Sequence, residues 1–228
     1  MNDALRTSAA HVFVEDLGHP ELDRDDAHHL LKVLRIRESD VISVSDGRGS
    51  WGTATVSRDG TVTMLEGPHF VPASASRLGV AFVPVKGERP ELVVQKLTEI
   101  GVDDIYPLAP TTRSVVKWDA ERADKNHARL VKVSREASMQ SRCVWLPIVH
   151  EIRTLESIVA LEGCVVADPN GRSLSSADRL IVVGPEGGFS TDELASATTV
   201  SLGESILRAE TAAIVAGALM INLRGGGR

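Results

Sequence analysis

The sequence predicts an α/β protein in which a small β-barrel domain precedes a larger domain built on a parallel sheet. Two observations predict this fold class: short alternating segments with Asp-Gly turns run from His11 to about Phe70, and strands then alternate with helices along residues 77–228. Parallel strands need long crossover connections, usually helices, so the second sheet is expected to be covered on both faces. We therefore expect two domains, over residues 1–72 and 77–228.

The first half is typical of a small β-barrel interrupted by one helix. The segments HVFV, DVISVSDGRGSWGTATVS and TVTMLE have the alternation of strands, and Asp46-Gly47 and Asp59-Gly60 are turn dipeptides. The segment DRDDAHHLLKVLRI has aspartates in its first turn and apolar residues toward its end, which indicates a helix. Barrels of this size often bind RNA.

The second half follows a small, polar, proline-containing linker at residues 71–76. Pro90 at the start of one helical segment and Gly101 after its end show the usual proline-in, glycine-out asymmetry of helices. The predicted strands are LGVAFVPV, DIYPL, VWLPIV, CVVAD, LIVVG and TTVSL. The predicted helices are ELVVQKLTEI, DAERADKNHARLVKVSREASMQS, TLESIVAL, one from Ser190 and one from about Ala209.

Composition excludes several classes of protein. A formal net charge of -6 argues against a chain that coats nucleic acid indiscriminately, although a local basic face remains compatible with it. The segment MNDALRTSAAHVFVED has no apolar core of signal-peptide length, and no run approaches the roughly 20 apolar residues of a membrane span. A cytoplasmic location is expected.

The cysteines and histidines predict neither a disulfide framework nor a metal site. Cys143 and Cys164 each lie in an apolar run, which favours buried, reduced thiols. His28 and His29 are adjacent on a predicted helix and therefore point about 100° apart, with no other ligand at a suitable spacing.

A basic segment between Arg113 and Arg142 carries eight basic and four acidic residues in an otherwise acidic protein. Arg122, Lys125, Arg129 and Lys132 are spaced three, four and three apart, so they share one helix face that can follow a phosphate backbone. A solvated helix face is the alternative interpretation. The eight basic residues are Arg113, Lys117, Arg122, Lys125, Arg129, Lys132, Arg135 and Arg142. The predicted RNA contacts are Arg35, Arg37, Arg113, Arg122, Lys125, Arg129, Arg135, Gln140 and Arg142.

The glycine-rich loop Gly184-Pro185-Glu186-Gly187-Gly188 follows an apolar strand, where open α/β sheets place ligands. Phe189, rather than lysine, follows the glycines, so this is not a phosphate-binding Walker loop, and the spacing does not fit a dinucleotide fingerprint. Ser190 and Glu193 match a capping box for the next helix. The acidic loop favours a neutral or cationic ligand.

A second loop, at Leu202-Gly203, leads into a helix with a small-residue face. That face allows another backbone to approach closely, and core packing explains it equally well. Packing does not explain the charges of Arg208 and Glu210 at the start of the helix. The small residues are Ala212, Ala213, Ala216 and Gly217.

The two loops together resemble a known family. GPEGGFSTDEL and LGESILRAETAA are similar to the two signature segments of the SPOUT superfamily of knotted RNA methyltransferases, and more narrowly of the bacterial 16S rRNA uridine-N3 methyltransferases. HHLLKVLRIRESDVISVSDG resembles that family's N-terminal PUA-like barrel domain, and KLTEIGVDDIYPLAPTTRSV and REASMQSR resemble its middle segments. The chain has ASMQS at residues 137–141 where the family often has Glu-Gln-Ser, which leaves the role of residues around 138 open.

The resemblance implies a C-terminal trefoil knot that holds S-adenosylmethionine in a bent shape, and a homodimer whose site is completed by both chains. It also implies 16S rRNA or the small ribosomal subunit as partner, with residues 167–171 as a third wall of the cofactor site. The cofactor residues implied are Asp168, Pro169, Gly184, Pro185, Glu186, Gly187, Gly188, Leu202, Gly203, Ile206, Leu207 and Arg208.

Methylation of uridine N3 requires loss of its proton as the methyl group arrives. We hypothesise that Arg208, or Arg113 or Arg135 of the partner subunit, stabilises the uracil anion and that Glu210 accepts or relays the proton. An ion pair between Glu210 and Arg208, or a simple helix N-terminal acid, is the alternative. Two other functions stay open: methylation of another base or of a ribose hydroxyl, and a ribosome assembly factor without catalysis.

Overall fold

The computed structural model describes residues 2–87, 89–116, 118, 120–195 and 197–225. Two compact units divide the chain: the first comprises Met1–Ser74 and Ser138–Leu146, and the second comprises Ala75–Ala137 and Pro147–Arg228. The sequence placed residues 138–146 in the second domain, whereas their contacts assign them to the first unit. Within the described ranges, no helix has the length and apolar character needed to cross a membrane.

The first unit contains a four-stranded sheet in the order β1-β2-β3-β4. β1 is parallel to β2, and the other neighbouring pairs are antiparallel. All the segments predicted as strands in this half of the chain contain a strand. Alternate side chains bury Val12, Val44 and Ala54 in one apolar cluster with Leu30. The strands are β1 (His11–Phe13), β2 (Ile42–Ser45), β3 (Ser50–Val56) and β4 (Val62–Phe70).

The helical part of the first unit differs in detail from the prediction. α1 (Asp3–Thr7), capped by Asn2, has no counterpart in the sequence analysis because five residues are too few for a periodic signal. The predicted helix forms as α2 (Arg24–His28) and continues as a π-helical turn (His29–Val33).

The segment 138–146 contacts the sheet of the first unit. The His11 ring is hydrogen-bonded to Ser43 Oγ (2.8 Å) and to the carbonyl oxygen of Cys143 (3.1 Å). Burial lowers the pKa of His11 to about 4, so this imidazole is neutral at physiological pH. Cys143 and Cys164 are both free and only half-buried.

The second unit is built on a six-stranded sheet in the order β10-β8-β9-β5-β6-β7. Every pair of neighbouring strands is parallel, as the alternation of strands and helices predicted. Its strands are β5 (Gly79–Phe82), β6 (Asp104–Pro107), β7 (Ile148–Val149), β8 (Cys164–Ser173), β9 (Leu180–Val183) and β10 (Thr199–Ser201).

The helices that connect these strands also match the prediction. Gly101 follows the first of them with a φ of +93°, and its N–H donates to the Leu97 carbonyl (3.2 Å), as expected for a terminating glycine. The helices are α3 (Arg89–Ile100), α4 (Ala120–Ser141), α5 (Leu155–Val159), α6 (Thr191–Leu194) and α7 (Ala209–Gly225).

Apolar layers cover both faces of the second sheet, as predicted. Successive residues of a strand point to opposite faces of the sheet. Val80 and Phe82 of β5 belong to the apolar cluster that contains α3 and α7 residues, whereas Ala81 and the following Val83 belong to the cluster that contains α5 residues. The small-residue face of α7 packs against a side chain: a Cβ atom on Gly217 would lie 2.7 Å from Leu97 Cδ2.

Candidate functional site

Two loops leave the sheet at the carboxyl ends of β9 and β10, and a third segment leaves it within β8, the strand between them. Because parallel strands end at the same edge, these loops meet there and enclose a cavity of about 410 Å³. The cavity is lined by Ala167, Asp168, Pro169, Val183, Gly184, Pro185, Glu186, Gly188, Phe189, Leu202, Gly203, Ser205, Ile206, Leu207, Arg208, Ala209 and Ala212.

The lining includes every residue predicted to bind cofactor except Gly187. Val183, Phe189, Ser205, Ala209 and Ala212 also line the cavity and were not among the predicted cofactor residues. Each of the five is adjacent in sequence to a predicted cofactor residue or lies one helical turn beyond one. This proximity is the feature of the sequence that could have predicted them. Phe189 packs tightly on the loop, since a Cβ atom on Gly184 would lie 2.9 Å from its ring.

The wall from β8 is formed by a break in strand pairing. The partner of β10 changes from Val166 at Thr199 to Arg172 at Val200, so residues 167–171 leave the ladder and reach the cavity. Gly171 allows the strands to close again, because a Cβ atom there would lie 2.4 Å from Val200 N. The predicted strand ended at Asp168, whereas β8 resumes beyond this wall and ends at Ser173.

The capping box predicted for α6 is confirmed. Ser190 N–H donates to Glu193 Oε2 (2.7 Å), and Glu193 N–H donates to Ser190 Oγ (3.3 Å). Glu193 Oε1 also accepts from Thr112 N–H (2.9 Å), in the loop after β6. Burial alone would raise the pKa of Glu193, but the N–H groups of Ser190 and Thr112 lower it to about 2.

Glu186 in the cavity lining and Glu210 beside the cavity share one arginine, Arg89, which no sequence pattern indicated. Arg89 Nη1 donates to Glu186 Oε1 (2.7 Å), and Arg89 Nε lies 3.6 Å from Glu210 Oε1. Glu210 therefore pairs with Arg89 and not with Arg208, the ion pair considered as the alternative to a role in proton transfer, and it lies outside the cavity lining. Its Oε2 atom is buried and has no hydrogen-bond partner among the described residues.

The fold and this cavity can be compared with known proteins. The family model of an RNA methyltransferase domain matches residues 72–221, which is more than half of the chain. The chain belongs to this RNA methyltransferase family. The model of an RNA methyltransferase PUA domain matches residues 22–61, within the first unit.

Individual relatives support the same family. The ribosomal RNA small subunit methyltransferase E of Mycobacterium bovis is 31% identical over 218 residues, covering 86% of this chain and 83% of the relative. The Bacillus subtilis protein of that name is 30% identical over 235 residues, covering 89% and 90%. The Neisseria gonorrhoeae protein of that name, solved bound to S-adenosyl methionine, has a TM-score of 0.81 and 26% identity, covering 94% of this chain and 97% of that one. The resemblance predicted from the two loops is confirmed.

Arg113 of this methyltransferase lies beside its own glycine loop. Its Nη1 atom donates to the Gly187 carbonyl oxygen (3.0 Å), and a Cβ atom on Gly187 would lie 3.2 Å from Arg113 Cβ. Gly187 thus faces Arg113 and not the cavity. The contact lies within one chain, and a contribution of Arg113 to the site of a partner subunit stays a prediction.

The basic stripe lies on the exposed face of α4. Arg122, Lys125, Arg129 and Lys132 are all exposed, and Leu130, on the other side of the helix, is 1% exposed. Arg129 Nε lies 3.0 Å from Glu91 Oε1, so this guanidinium already has a carboxylate partner.

The remaining candidate RNA contacts of the basic segment lie at or near the end of α4. Arg135 is half-buried and Gln140 is exposed. Lys117, which was counted with the basic segment, lies outside the described residues.

Three of the predicted RNA contacts lie in the first unit: two arginines are exposed, and the third forms a hydrogen bond within the unit. Arg35, with a φ of +54°, and Arg37 are both exposed just after the π-helical turn. Arg142 donates to the Ser8 carbonyl oxygen (2.6 Å), so it ties residues 138–146 to the end of α1. No cluster of metal-ligating side chains occurs in the part of the chain that the structure describes.

Proposed function

We propose that this protein transfers the methyl group of S-adenosylmethionine to N3 of a uridine in 16S rRNA of the small ribosomal subunit. The cavity formed by the loops after β9 and β10 and by the interruption within β8 is the observation that carries the proposal. Relatives that cover most of the chain are named ribosomal RNA small subunit methyltransferase E, and one of them was solved with S-adenosyl methionine bound.

The described cavity residues fit this cofactor. Phe189, Leu202 and Leu207 offer apolar surface for a flat base, whereas the carboxylates of Asp168 and Glu186 suit a cation. None of the described lining residues is a lysine, as expected for a ligand without phosphate. When bound, the cofactor supplies an electrophilic methyl group on a sulfonium sulfur.

The chain's own residues must orient uridine and stabilise its N3 anion. Arg208 is exposed and lines the cavity, so its guanidinium is available to a uracil carbonyl oxygen that gains negative charge. Arg135 of the partner subunit remains a candidate for the same role, and Arg113 holds Gly187 in its own chain. Glu210 as proton acceptor stays a prediction; its contact with Arg89 supports the alternative of a structural ion pair.

We also propose the architecture that the family implies: a trefoil knot around the cavity, a PUA-like barrel over residues 1–72 that binds RNA, and a homodimer of the transferase domain over residues 77–228. The exposed basic stripe of α4 and the exposed Arg35 and Arg37 support RNA contact.

The decisive experiment maps methylated nucleotides in small-subunit RNA from a strain that lacks this protein. We expect one N3-methyluridine to disappear and to return when the wild-type gene is restored. Loss of a different methylated base or of a ribose 2′-O-methyl group would contradict the assignment to uridine N3. It would favour the alternative of a methyltransferase that acts on another base or on a ribose hydroxyl. Calorimetry with S-adenosylhomocysteine tests the assembly-factor alternative, because a protein that had lost catalysis would have no need to bind it.

The roles of Arg208 and Glu210 require binding and chemistry to be separated. In single-turnover assays at saturating cofactor, Arg208→Gln should slow methyl transfer by about 100-fold to 1,000-fold, the usual cost of removing one anion-stabilising donor. Glu210→Gln at saturating cofactor tests proton acceptance, and an unchanged rate would remove Glu210 from the mechanism.

A further inference from the structure

Arg89, the first residue of α3, contacts carboxylates from two other parts of the second unit. Its Nη1 atom donates to Glu186 Oε1 at 2.7 Å, and its Nε atom lies 3.6 Å from Glu210 Oε1. The Glu210 side chain is only 12% exposed, so its charge is poorly solvated and needs a nearby cation. The planar guanidinium can address two carboxylates at once, whereas a lysine ammonium is a point charge on a flexible stem.

The two carboxylates belong to two segments that form different walls of the cavity, although Glu210 itself does not line it. Glu186 is the central residue of the loop Gly184-Pro185-Glu186-Gly187-Gly188, whose glycines leave the backbone many accessible conformations. Glu210 lies in the first turn of α7, where Arg208, Ala209 and Ala212 line the cavity. A side chain that binds both carboxylates therefore sets the distance between these walls.

We infer that Arg89 is a positioning residue that shapes the cofactor cavity by joining Glu186 of the glycine loop to Glu210 at the start of α7. The inference rests on the proposed function, because the ligand is S-adenosylmethionine. Arg89 is not among the cavity-lining residues, so it acts through Glu186 and Glu210.

A positioning role differs measurably from a simple charge effect. One arginine beside two carboxylates leaves one net negative charge, which favours a cationic sulfonium over its neutral thioether product. Loss of the arginine charge alone would strengthen that preference. Loss of the correct loop position would weaken binding of both compounds, because they share the adenosine and amino acid parts.

The test is calorimetry of Arg89→Gln, Arg89→Lys and wild type with S-adenosylmethionine and, separately, S-adenosylhomocysteine, without RNA. We expect Arg89→Gln to bind each compound about tenfold more weakly, as for loss of one charge-assisted hydrogen bond. Arg89→Lys should recover only part of the affinity. The matched control is Arg179→Gln, which removes a cation just before β9, at the opposite end of that strand, and should leave both affinities unchanged.

A double-mutant cycle adds a second measurement. The side chains of Arg89 and Glu186 are 40% and 45% exposed, so both single variants should fold. If Arg89 acts through Glu186, the variant with both Arg89→Gln and Glu186→Gln should lose no more affinity than the weaker-binding single variant. Fully additive losses would overturn the inference.

The outcomes separate this inference from the proposed function. Wild type that binds neither compound would refute the proposed function and the inference together. Wild type that binds both, with Arg89→Gln binding them equally well, would overturn the positioning role alone. A change restricted to the ratio of the two affinities would also overturn it, in favour of a charge effect.

Discussion

The sheet of the second unit and the loops at its carboxyl edge are stabilised by different interactions. All four residues of β5 and of β9 are buried, and apolar clusters cover both faces. The loops around the cavity are largely exposed, with Ile206 at 81%, and they are anchored by a few polar contacts. Those contacts are Arg89 with Glu186, Arg113 with Gly187, and Glu193 with Thr112.

This difference implies that stability and ligand binding can be changed separately. Packing in the sheet contributes most of the apolar burial, so changes there should alter the free energy of unfolding. The polar contacts bury little apolar area, but each determines where a loop lies, so their loss should alter binding more than stability.

The largest effect on stability is expected from Leu97→Ala. The side chain of Leu97, in α3, is fully buried and contacts α7 at Gly217. Its truncation therefore leaves a cavity next to Gly217. The free energy of unfolding should fall by about 3 kcal/mol, measured by urea denaturation, with unchanged S-adenosylhomocysteine affinity while the protein is folded. Leu92→Ala, on the same helix but 41% exposed, is the control. Equal losses in the two variants would contradict the proposed importance of this core.

Gly171→Ala should have the next largest effect on stability. Because Gly171 lies where the sheet meets the cavity wall, the change should also affect ligand binding. The new methyl group would meet the Val200 backbone at 2.4 Å to 2.5 Å, so the strands must separate, at a cost of about 1–3 kcal/mol. Since residues 167–169 line the cavity, calorimetry should show weaker S-adenosylhomocysteine binding as well. Gly225→Ala, where a Cβ atom meets nothing within 4 Å, should change neither property.

Glu193→Gln is expected to cost about 1 kcal/mol at pH 7, because the charged acceptor of two N–H groups is lost. The folded protein lowers the pKa of Glu193 from 4.5 to about 2, so the charged carboxylate stabilises the fold above pH 4.5. That contribution decreases as the pH falls toward 2. Urea denaturation at a series of pH values should therefore show the two proteins converging in acid.

The matched control for this pH series is Asp192→Asn, an exposed residue of the same helical turn. It should change stability by less than about 0.5 kcal/mol at each pH. A difference between wild type and Glu193→Gln that stays constant from pH 7 to pH 2 would be incompatible with the proposed role of the charge.

Lys125→Gln should have the smallest effect on stability, within about 0.5 kcal/mol, because the side chain is exposed on α4. If the basic stripe follows a phosphate backbone, RNA affinity should fall and the slope of log affinity against log salt should decrease by about 1. Filter binding at several salt concentrations measures both. A slope equal to that of wild type and of Arg179→Gln would favour a solvated helix face.

Local patterns predicted most of the secondary structure correctly. Pro90 and Gly101 bracket α3, and the Ser190–Glu193 box begins α6, because each signal involves residues within a few positions of one another. The glycine segments likewise identified most of the cavity lining, since a loop that ends a parallel strand lies at the ligand-binding edge.

Long-range contacts were not predictable in the same way. The ion pair considered as an alternative for Glu210 was with Arg208, two positions away, whereas its partner is Arg89 in α3. Arg142, a predicted RNA contact, donates a hydrogen bond to the carbonyl oxygen of Ser8, 134 positions earlier in the chain, and no local pattern predicted that bond. The same fold places residues 138–146 with the first unit, although they follow directly from a helix that begins in the second.

The amino-acid sequence by itself determined most of the strands and helices and the phosphate-free character of the cavity loops, because periodicity and capping depend on near neighbours. Only the tertiary structure decided which charged groups meet. The order of strands in the sheet brings together α3, the glycine loop and the start of α7, and no local pattern records that arrangement.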